Sequence, residues 1–358
     1  MKICTAFKKN LYLFMTLFCL PILGCSNDSS DGGDTITPSN LAVTITKVGF
    51  SDSTPNGDGS GTISLTATAV NATLYKINFG NGQLVESTTG LVNHTFTDMG
   101  TNTYTIYVSA YNGTKFISKT IATTVYVSPE LLWSDEFNVN GAPNSTYWGY
   151  DIGTGSNGWG NNEAQYYTNR PENVIVQDGI LKINLIKEVY SGSNYTSARI
   201  VTKDKFSFKY GRVEIKAKLA TGGGTWPALW MLGDNIGTAG WPGCGEIDIM
   251  EHVGNAQNKI YGTLHHPGHS GGNADGGNVT ISNASSEFHV YAVDWTSSYI
   301  KFYVDNQLYY SFVNTNSLPF NQNFFLIFNC AMGGNFGGNI DPNFTSTTLE
   351  VDYIRVYQ

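Results

Sequence analysis

The chain has 358 residues, which is long enough for two globular domains. Aromatic residues make up 13% of it and charged residues 13%, with 40 glycines, a composition typical of turn-rich β proteins and not of helical ones. The net charge of −8 supplies no basic surface that would neutralise phosphates, so we expect no nucleic acid partner, whereas a neutral polymer would meet no electrostatic barrier.

The N-terminus has the pattern of a secretory signal. Lys2, Lys8 and Lys9 precede an apolar run over residues 11–23, which is too short to span a membrane. The run ends in Gly24-Cys25 and resembles a bacterial lipobox, in which the new N-terminal thiol receives a lipid. We expect a lipoprotein signal peptide over 1–24 and a lipid anchor on Cys25, at the outer membrane and on the cell surface. The alternative is ordinary cleavage nearby, which leaves a soluble exported protein.

The cysteines do not indicate a disulfide framework. Cys4 and Cys19 fall in the predicted signal peptide, and Cys25 is the predicted lipid site. The remaining pair, Cys244 and Cys330, forms either one bridge or two buried thiols, and the sequence leaves both open.

Two segments precede the aromatic-rich half of the chain. Residues 25–40 are polar and small, which predicts a flexible tether. Residues 41–127 contain short alternating runs, at 61–69 and 103–109 for example, which predict a small antiparallel sandwich. Residues 75–82 and 94–106 resemble an immunoglobulin-like domain of the polycystic-kidney-disease type, with Asn78 and Asn81 at a turn that is usually rich in Asp. We expect this domain to be a spacer; the alternative is a weak sugar-binding module.

Residues 128–358 hold all seven tryptophans and run from strand to strand without helical intervals. This pattern predicts one large double-sheet jelly roll, so the fold class is all-β in both domains.

Three acids stand close together among aliphatic residues, although acids are sparse in the chain. Glu246 and Asp248 share one face of the predicted strand, because side chains alternate along a strand. Glu251 has the opposite parity, so one extra residue, a β-bulge at 249–250, is needed to bring it to the same face. The spacing therefore predicts a bulge.

Carboxyl groups at close range cannot all ionise freely, because like charges raise at least one pKa. A retaining glycosidase uses two carboxyl groups of different pKa, the ionised one as nucleophile and the protonated one as general acid. An inverting enzyme needs a wider gap between its two carboxyl groups. The alternative interpretation is a solvated acidic strand face.

Tryptophans near the acids predict sugar stacking. Trp226 and Trp230 share a strand face and flank a small residue, and Trp241 lies beside the acid motif. We assign Trp133, Trp148 and Trp295 to the core, since they lie in apolar strand patterns, and core packing is also the alternative for the Trp226 and Trp230 pair.

Histidines 265, 266 and 269 invite a metal-site interpretation. We do not adopt it, because adjacent strand residues face opposite ways and the spacing matches no common zinc motif. His265 is expected to be a polar cleft residue. The glycine-rich run at 271–277 predicts a loop at the cleft edge and not a phosphate cradle.

Several motifs over residues 132–358 resemble glycoside hydrolase family 16, in particular its bacterial laminarinase-like members. They include residues 133–137, 158–167, 195–200, 224–230, 240–245, 246–251 and 351–357. The resemblance implies a jelly roll with a glucan cleft and an enzyme that cleaves β-1,3-glucan or mixed β-1,3/1,4-glucan within the chain.

The resemblance also implies roles for single residues. Glu246 corresponds to the nucleophile, Glu251 to the acid/base, and Asp248 to the helper between them. Six further residues correspond to family positions that line the sugar subsites, namely Trp226, Trp230, Trp241, Arg199, Asn161 and His265. Phe336 stands where a tryptophan is common in the family.

No cofactor is expected for catalysis. Glu136, Gly179 and Asp352 fall where many family members hold a structural calcium ion, which prefers oxygen ligands. We expect a monomer that meets a membrane only through Cys25.

Two other functions remain open at this point. One is hydrolysis of another β-glycan, such as agar, porphyran or xyloglucan. The other is a surface protein that binds glycan without cutting it, which would need the tryptophans but not the paired acids.

Overall fold

The computed structural model describes residues 35–80, 82 and 84–358. The predicted signal peptide, Cys25 and most of the predicted tether lie outside this range. Strands dominate the described part of the chain, and none of its helices is both long and apolar enough to cross a bilayer.

The first unit is a small two-sheet sandwich. Its strands are β1 Ser39–Lys47, β2 Thr62–Val70, β3 Leu74–Asn78, β4 Leu84–Ser87, β5 Leu91–Thr95, β6 Gly100–Asn112 and β7 Lys115–Val127. One sheet has the order β1-β2-β5 and the other β4-β3-β6-β7. Alternate residues of β2 and β6 are buried, which gives this unit a hydrophobic cluster of its own around Ile63, Leu65, Ile77 and Ile106. The strands predicted at 61–69 and 103–109 are present, and the polycystic-kidney-disease-type assignment stays a prediction.

The second unit contains the remaining strands and two short helices. They are β8 Leu131–Asp135, β9 Gly149–Tyr150, β10 Gln165–Tyr167, β11 Val174–Gln177, β12 Ile180–Tyr190, β13 Ser193–Ser197, β14 Arg199–Val201, β15 Gly211–Lys218, β16 Thr225–Gly233, α1 Ile236–Ala239, β17 Glu246–His252, β18 Lys259–His265, β19 Asp275–Thr280, β20 His289–Trp295, β21 Tyr299–Val304, β22 Gln307–Val313, β23 Phe324–Met332, α2 Gly334–Gly337 and β24 Ser346–Tyr357.

These strands form two sheets. The ten-stranded sheet has the order β10-β13-β12-β24-β15-β20-β21-β22, with β11 beside β12 and β8 beside β24. The seven-stranded sheet has the order β19-β18-β17-β16-β23-β14-β9. Neighbouring strands are antiparallel except for β10 and β13. This two-layer arrangement is the predicted jelly roll.

The core fills the space between the two sheets. The ten-stranded sheet contributes alternate residues of β15, such as Val213 and Ile215, while the seven-stranded sheet contributes Leu229, Met231 and Ile247. Trp148 and Trp295 are fully buried, as predicted for core indoles, and Trp133 is half-buried and stacks on Phe206. Cys244 and Cys330 are buried free thiols, so the bridged alternative is wrong.

Strand β17 contains the predicted bulge. Met250 pairs with Leu229 and Asp248 pairs with Trp230, so two steps on β17 correspond to one step on β16. The register with β18 shifts between Asp248 and Glu251 as well. Ile249 and Met250 are both buried in the core, and the strand resumes its alternation with Glu251 on the outer face.

Candidate active site

The three acids of β17 lie on the outer face of the seven-stranded sheet. Asp248 is 3% exposed and Glu251 is 7% exposed, and Glu246 is partly buried. Indoles and other polar side chains replace most of the water around these carboxyl groups. Glu246 and Glu251 are each held in one orientation by hydrogen bonds from neighbouring side chains.

Two of the predicted tryptophans bind the acids directly. Trp241 donates its indole N–H to Glu246 Oε2 at 3.0 Å, and Trp226 donates to Glu251 Oε1 at 3.1 Å. Thr263 of β18 donates its hydroxyl to Glu251 Oε2 at 2.7 Å. A sugar ring that stacks on either indole thus lies beside a carboxyl group, because the same side chain forms both contacts.

His265 lies opposite Glu246 in the register of β17 and β18. Its Nε2 is 3.2 Å from Asp248 Oδ2 and 3.5 Å from Glu246 Oε1. Its Nδ1 accepts the backbone N–H of Gly271 at 3.0 Å, so in the neutral ring the proton is on Nε2 and faces the acids. The ring N–H therefore points toward the carboxyl cluster, where Asp248 Oδ2 is buried without a hydrogen-bond partner.

Burial dominates the electrostatics of the cluster. It raises the pKa of Glu246 to about 8, with a further contribution from the neighbouring Asp248. Burial raises the pKa of Asp248 well above its usual range, and the charge of Glu251 adds to this. Burial also raises the pKa of Glu251, against the hydrogen bond from Thr263. All three carboxyl groups of the cluster therefore bind their protons more tightly than exposed carboxyl groups do.

A second group of residues extends the site along the sheet. The guanidinium of Arg199 lies 4.6 Å from the ring centre of Trp159 and 4.9 Å from that of Trp230, and its Nε is 2.9 Å from Asp151 Oδ2. Trp230 donates its indole N–H to Asn329 Oδ1 at 2.7 Å. The predicted subsite residues Arg199 and Trp230 are therefore in contact, next to the strand that carries the acids.

Asn161, the remaining predicted subsite residue, lies in a wide turn at Gly158–Asn162. It donates to Glu163 Oε1 at 3.3 Å. Glu163 also accepts from Gln165 at 2.7 Å and from Tyr167 at 3.1 Å, and Tyr167 in turn accepts from Asn329 at 3.1 Å. A chain of polar contacts thus connects Asn161 to Trp230.

Sequence reasoning missed Thr263, Asn329 and Asp151, which support this site, and it gave no role to Glu163 and Tyr167, although both lie in the motif at 158–167. Asn329 lies in a strand whose nine residues are all buried. The lone amide in this otherwise apolar run could have indicated a positioning role for Asn329, since a buried amide needs hydrogen-bond partners.

Phe336 contacts Trp226 and Tyr261 edge to face, with ring centres 5.5 Å and 5.0 Å apart.

The candidate calcium residues converge on the ten-stranded sheet. Strand β24 pairs with β8 through Ile354 and Asp135, and with β12 through Val351 and Leu181. The carboxylate of Glu136 forms two hydrogen bonds with Arg355, at 2.8 Å and 2.9 Å, and Asp352 lies 2.7 Å from Lys216. Arg355 engages the Glu136 side chain and Lys216 engages the Asp352 carboxylate, so Asp352 could bind a calcium ion only if Lys216 moved aside.

The site can perform acid–base and nucleophilic chemistry on a glycosidic bond. It combines carboxyl groups that retain a proton with carboxyl groups that can ionise, on one rigid strand, and it offers flat apolar rings for sugar faces.

Comparisons with known proteins agree with this chemistry. The family model described as "Glycosyl hydrolases family 16" matches residues 161–355. A protein from Rhodothermus marinus named "Beta-glucanase" is 47% identical over 245 residues, which cover 64% of this chain and 85% of that protein.

Two solved structures are similar as well. The laminarinase from Rhodothermus marinus is 48% identical with a TM-score of 0.61, and the match covers 64% of this chain and 97% of that one. The laminarinase catalytic domain from Thermotoga maritima is 42% identical with a TM-score of 0.61, covering 64% of this chain and 98% of that one. Together with the acids of β17 and their indole partners, these matches show that the chain belongs to glycosyl hydrolase family 16.

Proposed function

We propose that this protein is a retaining glycosidase that cleaves β-1,3-glucan, or mixed β-1,3/1,4-glucan, at internal bonds. The observation that carries the proposal is the pair of indole hydrogen bonds, from Trp241 to Glu246 and from Trp226 to Glu251. They place the sugar-stacking surfaces at the two carboxyl groups that the reaction needs. The relatives named β-glucanase and laminarinase support the choice of glucan.

The reaction proceeds in two displacements. In the first, Glu251 donates its proton to the departing glycosidic oxygen while the Glu246 carboxylate attacks the anomeric carbon and forms a glycosyl ester. In the second, Glu251 takes a proton from water, the water oxygen attacks the anomeric carbon, and the Glu246 carboxylate leaves. Both carboxyl groups return to their starting states, and the configuration at the anomeric carbon is retained.

Asp248 and His265 set the charge of the nucleophile. Burial and the charge of Glu251 raise the pKa of Asp248, and while Asp248 is protonated it does not repel an ionised Glu246. The Nε2–H of His265 faces both carboxyls and stabilises negative charge there. We therefore assign Asp248 and His265 as residues that allow Glu246 to ionise in a buried site.

Binding without cleavage is the competing function. It would require aromatic platforms but not buried carboxyl groups, whose burial raises their pKa and destabilises the fold whenever they ionise. A sulfated glycan is also disfavoured, because the cation found beside the platforms, Arg199, already faces Asp151.

The test is release of reducing ends from laminarin, lichenan, agarose and carboxymethyl cellulose by the purified protein. We expect activity on laminarin or lichenan, and a loss of about 10³-fold or more in Glu246→Ser. Glu86→Ser, in the first sandwich, is the matched control and keeps full activity. NMR of the first product should show the β anomer. Tight binding without cleavage of all four polymers would favour the glycan-binding function instead.

We also propose that the protein is exported, anchored through a lipid on Cys25, and monomeric, with the first sandwich as a spacer. The lysines at the N-terminus, the apolar run at 11–23 and Gly24 support the anchor. Metabolic labelling with a fatty acid should mark the parent chain and not Cys25→Ser. Sedimentation of the chain without its signal peptide should give the mass of one copy.

A structural calcium ion is a further part of the proposal. The backbone near Glu136, Gly179 and the Asp352 carboxylate would hold it, with Lys216 displaced. Calcium should raise the melting temperature relative to a chelator by about 2–4 °C or more, and Asp352→Asn should remove the difference. An equal melting temperature in both conditions would exclude the ion.

A further inference from the structure

A tight turn follows strand β18 at the edge of the seven-stranded sheet. His266 and His269 exchange two backbone hydrogen bonds, at 2.8 Å and 2.9 Å, across Pro267 and Gly268. Gly268 has a φ of 84°, which favours glycine, and the proline limits the backbone freedom of the turn. The two histidines therefore leave this turn at a fixed spacing.

The histidine side chains converge on one carboxylate. His266 Nε2 is 2.9 Å and His269 Nδ1 is 3.1 Å from the same atom, Oδ2 of Asp275, the first residue of β19. The two rings lie nearly parallel, with an angle of 18° and centres 4.7 Å apart. One ligand atom from each residue thus lies within 4.8 Å of the others.

The distances between these ligand atoms are close to those between the ligand atoms around a bound metal ion. Zinc bonds to imidazole nitrogen and carboxylate oxygen at about 2.0–2.2 Å, so tetrahedral ligand atoms are about 3.3 Å apart. The nitrogens are at 2.9 Å and 3.1 Å from the oxygen, so small outward movements would admit an ion. Two neutral imidazoles and one carboxylate also suit a divalent transition metal better than calcium or magnesium.

The surroundings fix one ligand and leave another accessible. His266 is 5% exposed, and its ring lies between Phe312 and Phe320, with ring centres at 5.9 Å and 5.7 Å. The side chain of His269 is 50% exposed, so solvent reaches the site and can supply a fourth ligand. Three protein ligands and a fourth position open to water are typical of zinc sites that are not purely structural.

We propose that His266, His269 and Asp275 bind Zn²⁺ or a similar divalent transition metal. The site is separate from the acids of β17, because His265 faces those acids while the next residue, His266, packs against Phe312 and Phe320. Residues 266–275 also include Gly271, whose N–H binds Nδ1 of His265. Metal binding therefore anchors both ends of the loop that orients this active-site histidine.

The test is calorimetric titration of the full chain with Zn²⁺ alone, accompanied by melting curves. We expect one ion per chain and a higher melting temperature. His269→Ala and Asp275→Asn should each weaken binding at least tenfold. His269 is exposed, so its replacement leaves the core intact and its result holds even if Asp275→Asn folds poorly.

Two controls identify the site. Asp305→Asn removes a similar carboxylate that meets a single histidine, His289, at 2.7 Å, and it should bind zinc as the parent does. Glu246→Gln tests the other cluster with suitable ligand spacing, formed by Glu246, Asp248 and His265, and it should also leave the titration unchanged. The proposal is overturned if no zinc binds, or if Glu246→Gln abolishes binding while His269→Ala does not.

Discussion

Asn329 accepts the indole N–H of Trp230 through Oδ1 at 2.7 Å and donates through Nδ2 to the hydroxyl of Tyr167 at 3.1 Å. One buried amide on strand β23 thus fixes the orientation of a sugar platform and connects it to the turn that carries Asn161. The platform is preorganised by hydrogen bonds in addition to packing.

Asn329→Ala should reduce kcat/KM for laminarin about tenfold, because the lost hydrogen bond is worth about 1–1.5 kcal/mol and leaves Trp230 free to rotate. Most of the loss should be in KM, since the acids of β17 are untouched. Tyr167→Phe removes the contacts of the hydroxyl with Asn329 and Glu163 but leaves the hydrogen bond from Trp230 to Asn329, so it should have a smaller effect. An unchanged KM in Asn329→Ala would contradict the positioning role.

Glu246→Gln should stabilise the fold, and the gain should grow with pH. Burial raises the pKa of Glu246 from 4.5 to about 8, so the folded chain binds this proton more tightly than the unfolded chain. The stability that this proton contributes is fully present below the ordinary carboxyl pKa and is lost as pH rises through the folded pKa. Glutamine has no charge to bury and can still accept from Trp241.

We therefore expect nearly equal melting temperatures for parent and Glu246→Gln at about pH 4, and an advantage on the order of 10 °C for the variant at about pH 9. Glu86→Gln, at an exposed site, should show no such trend. A variant that is less stable than the parent at high pH would show that the ionised glutamate is stabilised by its partners.

Thr263→Val should shift the alkaline limb of the pH–rate profile upward. The hydroxyl donates to Glu251 Oε2 at 2.7 Å and so favours the ionised form, against the effect of burial. Without it, the pKa of Glu251 rises further, and the acid keeps its proton to higher pH. The measurement is kcat/KM for laminarin against pH. Thr280→Val, on the neighbouring strand β19, is the control, and a limb that stays in place or moves down would refute the assignment.

Phe336→Trp should strengthen binding of long glucan chains. Phe336 lies edge to face against Trp226 and is 36% exposed, so a larger ring there has room toward solvent and extends the stacking surface. We expect KM for laminarin to fall about two- to fivefold with kcat nearly unchanged. Trisaccharides that do not reach this position should show no change, and a fall in kcat would indicate that the ring disturbs Trp226.

Local sequence rules were sufficient for the central strand of the site. Parity along residues 246–251 predicted the bulge, and the pairing of Met250 with Leu229 confirms it. The same rule separated His265, which faces the acids, from His266, which packs against Phe312 and Phe320.

The partners of these residues come from distant parts of the chain, and parity does not provide them. Asn329 is 99 residues from Trp230, and its contact depends on β23 lying beside β16 in the sheet. The convergence of His266 and His269 on Asp275 depends on the return of the chain through β19. Strand order is set by packing of the whole domain, which no local pattern contains.

The extra residue in β17 makes the length of this strand as important as its composition. Ile249 and Met250 both face the core, so removing either one would turn each following side chain of the strand to the opposite face of the sheet. Glu251 would then enter the hydrophobic layer and a core side chain would enter the cleft. A single deletion here would thus destroy acid catalysis and core packing together. Conservative exchange of Ile249 or Met250 for an apolar residue of similar volume would change catalysis and core packing little.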